Sequence, residues 1–242
     1  MKAISLSVAA ALLLCFAPAA LCLAEDGKSA ETPSAEMPPY AAYVLKTTRP
    51  RMAAAFAAGD FLKKYPPRRV TFVVIKDARR LEVWAQEGWA EPVLFGKYAV
   101  TALSGRPGPK LRKGDRQVPE GVYSVLWLNP DSDFNLSIKL DYPNEFDREA
   151  AALDGRKNLG GDIFIHGGDV SAGCIAVGDE AVEELFTLVH DTGVENVRVV
   201  IAPRDFRLSA PRGTDFTHAP KRLKILYNWL NDELLKYVEK KT

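Results

Sequence analysis

Cysteine is scarce in this chain: three in 242 residues, with Cys15 and Cys22 both close to the N-terminus. A small exported domain stapled by disulfides is thereby excluded, because such domains use cysteines densely and in pairs. Histidine is equally rare. His166, His190 and His218 form no helical pair, and Cys174 is the single thiol beyond the N-terminal stretch, so a zinc site is not expected. Charge of one sign is missing too: 32 Lys+Arg stand against 31 Asp+Glu. No basic excess exists to hold nucleic acid by its phosphates, and no acidic excess points to a basic partner. What remains is an ordinary globular composition, 47% hydrophobic and 26% charged, with no internal repeat and length enough for a sizeable core.

Met1-Lys2 supplies positive charge, Ile4 to Leu23 is almost wholly apolar, and Cys22-Leu23-Ala24 is followed by Glu25-Asp26-Gly27. That order predicts a secretory signal peptide over residues 1–24 and a periplasmic mature protein without stable membrane insertion. The rival is an uncleaved anchor, since the apolar run approaches spanning length; Pro18 and the small residues near Ala24 favour cleavage. Leu21 before Cys22 and Leu14 before Cys15 argue against lipidation. Cleavage after Ala24 leaves Cys174 as the one cysteine, either a buried small hydrophobe or a nucleophile.

Residues 25–50, rich in Pro, Ser, Ala and Glu, read as a linker, and 51–69 as a short helical lead-in whose helix runs from Arg51 to Lys64 before Pro66-Pro67. Residues 70–202 carry the strand patterns. Val70 to Lys76 and Leu81 to Ala85 form a predicted hairpin about Asp77–Arg80; Val93–Leu103, Gly121–Leu128, Leu136–Leu140, Ile163–Ile165 and Val197–Ile201 are further strands. Ser104 to Glu120 is a long Gly- and Pro-rich loop. Asp179 to His190 reads as a helix capped by Asp179, with Val182, Leu185, Phe186 and Val189 as its stripe. Residues 203–242 are a loop and an amphipathic helix with Leu223, Leu226, Leu230 and Leu234 on one face. Trp84, Trp89 and Trp127 are expected in the core or on a sheet face, and Trp229 packing the last helix. The class is mainly β with marginal helices (α+β).

The chemistry concentrates in Ile165-His-Gly-Gly-Asp-Val-Ser-Ala-Gly-Cys-Ile-Ala-Val177. A thiol needs a nearby base to react near neutral pH, and a chain folding back between His166 and Cys174 points both into one cleft. Gly173 leaves the backbone N–H groups there unobstructed as oxyanion donors. Ser171 is placed to orient His166 or the substrate. A papain- or NlpC-like cysteine peptidase is disfavoured, because those enzymes place the cysteine before the histidine, at the start of a helix.

His166-Gly167…Ser171-Ala172-Gly173-Cys174 resembles the signature of the YkuD-type L,D-transpeptidase catalytic domain, whose histidine and cysteine occupy these places. Gly108 to Gly121 and Tyr142-Pro-Asn-Glu-Phe-Asp-Arg148 are similar to elements of its YafK-like branch. The resemblance runs from about Val70 to Ile201 and implies a β-sandwich or barrel-like domain. Ala172 and Ala176 stand where many members carry histidine and arginine, which puts ordinary transpeptidase substrate binding in doubt. The resemblance implies no cofactor and a thioacyl-enzyme formed at diaminopimelate in peptidoglycan stem peptides. In the YafK-like branch water resolves it and the bond cut ties a lipoprotein of the outer membrane to the wall; transpeptidation and an inactive peptidoglycan-binding module are the alternatives. Arg112, Arg116, Tyr142, Asn144 and Arg148 are candidate substrate contacts. Asp115 and Glu120 are candidates of the same kind, with the plainer reading of solvated loop charges.

Overall fold

The structure, a computed structural model, describes residues 36–59, 64–211 and 222–239. The predicted signal peptide and His218 lie outside the described residues. Among the described residues nine strands form one mixed sheet in the order β3-β2-β1-β9-β5-β6-β7-β8-β4. The hairpin expected at the start is present: β1 (Arg69–Ile75) and β2 (Arg80–Gln86) pair antiparallel from Arg69↔Gln86 to Ile75↔Arg80. The expected strand over Val93–Leu103 is broken into β3 (Val93–Ala99) and β4 (Ala102–Leu103). β4 leaves β2's edge to pair with β8 (Ile175–Ala176), so the chain crosses from one end of the sheet to the other within a few residues.

β5 (Gly121–Ser132) joins the two halves. Its first four residues pair with β9 (Val197–Ala202), and the rest pair with β6 (Asn135–Leu140) across a register shift between Val125 and Trp127. β6 continues to β7 (Phe164–His166), which runs parallel to β8.

Burial explains the strand sequences. Val70, Phe72 and Val74 of β1 face one core, shared with Leu81, Val83, Val199 and Ile201; Val73 and Ile75 face a second, shared with Trp84, Val122 and Val200. A strand wetted on neither side reads as an unbroken apolar run, as Phe72 to Ile75 does. The first core is covered by α1 (Pro39–Ala58) and α3 (Asp179–Thr192), the second by α4 (Leu223–Leu234). Leu223, Leu226, Leu230 and Leu234 are all buried there.

Five points of the sequence reading need correction. The linker over 25–50 gives way to helix at Pro39. Pro39 suits a first turn, and Ala41, Val44, Leu45, Thr48, Met52 and Phe56 bury a continuous stripe that outweighs the helix-breaking Pro50. Arg49 fixes α1 to α3 by a two-pronged pair with Asp191. α1 ends at Ala58, short of the expected Lys64. Helix α2 (Glu145–Leu153), absent from the sequence reading, begins at Asn144 with a capping box closed by Asp147. Asp179 is the first residue of α3 rather than its cap, which is Gly178. Trp89 is 94% exposed in the β2–β3 turn, with the Arg69 guanidinium over its ring.

Candidate active site

His166 ends β7 and Cys174 immediately precedes β8. The parallel register sets His166 opposite Ala176 and Ile165 opposite Ile175. Side chains two apart on a strand share a face, so Cys174 projects from the same face as Ala176 and His166, one strand away and two residues along. Ile165 and Ile175, on the other parity, sit in the first core. Alternation therefore aims the imidazole and the thiol together, away from α1 and α3.

The imidazole is fixed in one tautomer. Its Nδ1 lies 2.7 Å from the Gly167 carbonyl, which accepts only, so Nδ1 carries the proton and Nε2 keeps its lone pair. The ring is 4% exposed and rests 4.7 Å from the ring of Phe134, at the tip of the β5–β6 hairpin. Burial holds its pKa below the ordinary histidine value, against a smaller opposing effect of the Gly167 carbonyl. Burial pushes the Cys174 thiol up, opposed by a backbone hydrogen bond from Phe164 and by the charge of Lys139. The Cys174 Sγ donates to the Asp162 carbonyl at 3.4 Å. Burial thus favours the uncharged form of each group, the imidazole and the thiol alike.

Gly167 is dictated by space. A Cβ there would lie 2.5 Å from Asp179 Oδ1 and 2.7 Å from the Phe134 carbonyl. Asp179 accepts from the Gly168 N–H and Gly167 N–H donates to Phe134, tying the histidine's successor to α3 and to the hairpin tip. Gly173 has φ +123°, a backbone that L side chains rarely adopt. Its N–H faces the Ser171 hydroxyl at 3.3 Å, so it is engaged rather than open as the sequence reading had it. No hydrogen bond joins Ser171 to His166. The Ser171 hydroxyl donates to the Cys174 carbonyl at 2.7 Å and meets Ser104 at 3.2 Å, which shapes the Cys174 loop.

The 104–120 loop borders this site through Gln117, whose carbonyl is 3.4 Å from where a Gly173 Cβ would stand. Glu120 and Asp115 are neither solvated nor free for substrate. Glu120 is 1% exposed and accepts from Lys76 Nζ, the Gly108 N–H and the Tyr227 hydroxyl. Asp115 accepts from Lys110 and from the Leu111, Arg112 and Gln117 amides.

Of the five candidate substrate contacts, Arg112 and Arg116 stand exposed on this loop. The other three gather elsewhere, lining an open cleft of about 710 Å³ with Trp229 that neither His166 nor Cys174 borders. Two of these are structural. Tyr142 is 4% exposed with its hydroxyl donating to the Leu159 carbonyl, and Asn144 caps α2 while its Nδ2 donates to the Val122 carbonyl. Arg148 is exposed and donates to the Pro143 carbonyl.

Sequence reasoning overlooked Lys139 and Phe164, which share the face of His166 and Cys174. The signal was available in Leu136-Ser-Ile-Lys-Leu140. Leu136, Ile138 and Leu140 enter the first core, so the intervening Ser137 and Lys139 must face the other way.

The family model for the L,D-transpeptidase catalytic domain, YkuD, matches residues 68–201. YafK of Escherichia coli K12, named as a candidate L,D-transpeptidase, is 35% identical over 141 residues, 56% of this chain and 54% of that protein. The chain therefore spans about half the length of the curated relatives it matches. Among solved structures, the helical cell shape determining protein Pgp2 of Campylobacter jejuni superposes with a TM-score of 0.45 at 17% identity, covering 74% of this chain and 73% of that one. L,D-transpeptidase 1 of Mycobacterium tuberculosis gives 0.32 at 12% identity, covering 55% and 62%.

Proposed function

Because the chain belongs to the YkuD family of L,D-transpeptidase catalytic domains, we propose that it is an exported, periplasmic cysteine acyl-transfer enzyme that hydrolyses diaminopimelate-centred amides of peptidoglycan, releasing wall-linked lipoprotein. The observation that carries the chemistry is the shared face of His166 and Cys174, with Nδ1 pinned and Nε2 left as base. In this reading Nε2 takes the thiol proton as Sγ bonds to the carbonyl carbon. The backbone N–H groups of the Gly173–Cys174 turn are the oxyanion donors in this reading, the Gly173 N–H exchanging the Ser171 hydroxyl for the oxyanion. Collapse breaks the C–N bond, and the imidazolium returns its proton to the departing amine. Water, deprotonated by the same nitrogen, then splits the thioester and restores the thiol. Hydrolysis needs only water at the thioacyl carbon, whereas transfer needs a second site that holds an amine in line. The short apolar Ala172 and Ala176 beside the nucleophile provide no group to hold one.

The test is incubation with a purified muropeptide bearing a lysine-linked adduct, with and without excess acceptor stem peptide, followed by mass spectrometry. Release of the lysine-bearing peptide with a free diaminopimelate carboxyl is expected, and cross-linked or exchanged products instead would establish the transpeptidase alternative. Cys174→Ala should abolish turnover. His166→Ala should slow it by roughly 10²–10⁴. No turnover with any muropeptide and no labelling of Cys174 by an electrophile would leave the inactive binding module. Export is checked by N-terminal sequencing of periplasmic protein, with Glu25 as the expected first residue.

A further inference from the structure

We propose that Lys139 is the specificity-determining group of this site, binding a substrate carboxylate carried on a short aliphatic arm beside the bond that Cys174 attacks. The proposal rests on the reading of Cys174 as nucleophile. Strand registers place Trp127 opposite Lys139 and Lys139 opposite Phe164, and the parallel pairing of Ile165 with Ile175, continued one residue back, leads from Phe164 to Cys174, to which the Phe164 backbone is hydrogen-bonded. One row of side chains therefore crosses β5, β6 and β7 and ends at the thiol.

Within that row the ammonium is turned toward the nucleophile. Lys139 Nζ lies 4.4 Å above the Phe164 ring centroid and 2.6 Å from Asp162 Oδ1, while the carbonyl of the same Asp162 accepts the thiol proton. The lysine side chain is 11% exposed and that of its carboxylate partner 92%. A buried cation paired with a carboxylate standing in solvent is a site where another carboxylate exchanges in at little cost. The nearby Lys110 differs, since its partner Asp115 is held by three backbone amides and cannot leave. Trp127 and Phe164, edge to face at 5.9 Å, supply the apolar wall that a methylene arm would follow, and Trp127 is 47% exposed. The charge of Lys139 also reaches the thiol, drawing its titration down against burial.

The experiment compares alkylation of Cys174 by iodoacetate and iodoacetamide in the full chain. Both reagents form the same S–CH₂ bond and expel iodide, and both meet the same thiolate, so any change in thiol acidity cancels in the ratio of their rates. Lys139→Met is expected to lower the iodoacetate-to-iodoacetamide ratio roughly 3- to 10-fold, as for loss of one charge a few ångströms from the reacting carboxylate. Lys139→Arg should preserve it, and Asp162→Asn should raise it by removing the competing carboxylate. An unchanged ratio in a folded Lys139→Met protein overturns the proposal. Where that variant does not fold, an unchanged or lowered ratio in Asp162→Asn overturns it. With muropeptides, Lys139→Met should raise KM for a free carboxylate and leave KM for its amide in place. The two readings fail separately. A ratio that shifts without any muropeptide turnover sinks the proposed reaction, and Cys174-dependent turnover with an unmoved ratio sinks only the role of Lys139.

Discussion

Lys76–Glu120 and Lys139–Asp162 are lysine–carboxylate pairs of similar length, 2.9 and 2.6 Å, in opposite surroundings. The first has side chains 2% and 0% exposed. The Lys76 ammonium donates to the Gly108 and Val118 carbonyls as well as to Glu120, which in turn takes the Gly108 amide and the Tyr227 hydroxyl. Together these bonds close the 104–120 loop on itself and tie it to the end of β1 and to α4. The second pair leaves its carboxylate in water beside the nucleophile. The same two functional groups thus build a scaffold where all their valences are met inside the protein, and a ligand site where one partner can be exchanged.

The largest effect that would break this contrast is on stability. Lys76→Met or Glu120→Gln leaves an uncompensated polar partner in the interior and should cost about 3–5 kcal/mol in urea unfolding. A loss under about 1 kcal/mol would mean that the buried pair is no scaffold. An intermediate effect comes from Asp147, a half-buried carboxylate that shows what happens without a lysine. Its contacts are the Asn144 amide and the Tyr123 hydroxyl, and burial pushes its pKa up to about 6, those two bonds pulling the other way. A raised folded pKa gives stability that is fully present below the unfolded value near 3.8 and is lost as pH rises through about 6. Asp147→Asn should therefore remove a decline of order 2 kcal/mol between pH 4 and 7. Parallel stability profiles for the two proteins would contradict the assignment. The smallest effect sharpens the comparison from the other side. Asp162→Asn should change stability by less than about 1 kcal/mol, because the pair is open to solvent and asparagine tolerates the left-handed backbone at φ +58°.

How much of this was legible in the sequence varied with the kind of signal. The β1–β2 hairpin, β9, α3 and the stripe of α4 follow from periodicity alone, and the His166–Cys174 segment from the rarity of both residue types. α1 was obscured because Pro38, Pro39 and Pro50 speak locally for a linker, whereas the stripe from Ala41 to Phe56 gains its energy only against α3, far away in sequence. α2 is spelled by the capping box of Asn144 and Asp147, a signal that the Tyr-Pro-Asn pattern around it masks; the Tyr142 hydroxyl and the Asn144 amide each hold a backbone carbonyl. Glu120 looked like a loop charge since nothing in its neighbourhood announces that Lys76 and Tyr227 will close over it. Lys139 needed the register of β6 to β7, which alternation constrains but does not pair.

The second core bears on where this catalytic unit ends. Likeness to the family stops at residue 201, yet Phe206, Leu223, Leu226, Tyr227, Leu230, Leu234 and Tyr237 are the lid over Val73, Ile75, Val122 and Val200. A chain cut at the edge of the likeness would present that valine-rich sheet face to water and invite self-association through it. It would also take from Glu120 the hydroxyl that Tyr227 supplies. The boundary of shared ancestry and the boundary of the cooperative folding unit therefore differ, and the last helix belongs to the enzyme's body rather than to a tail.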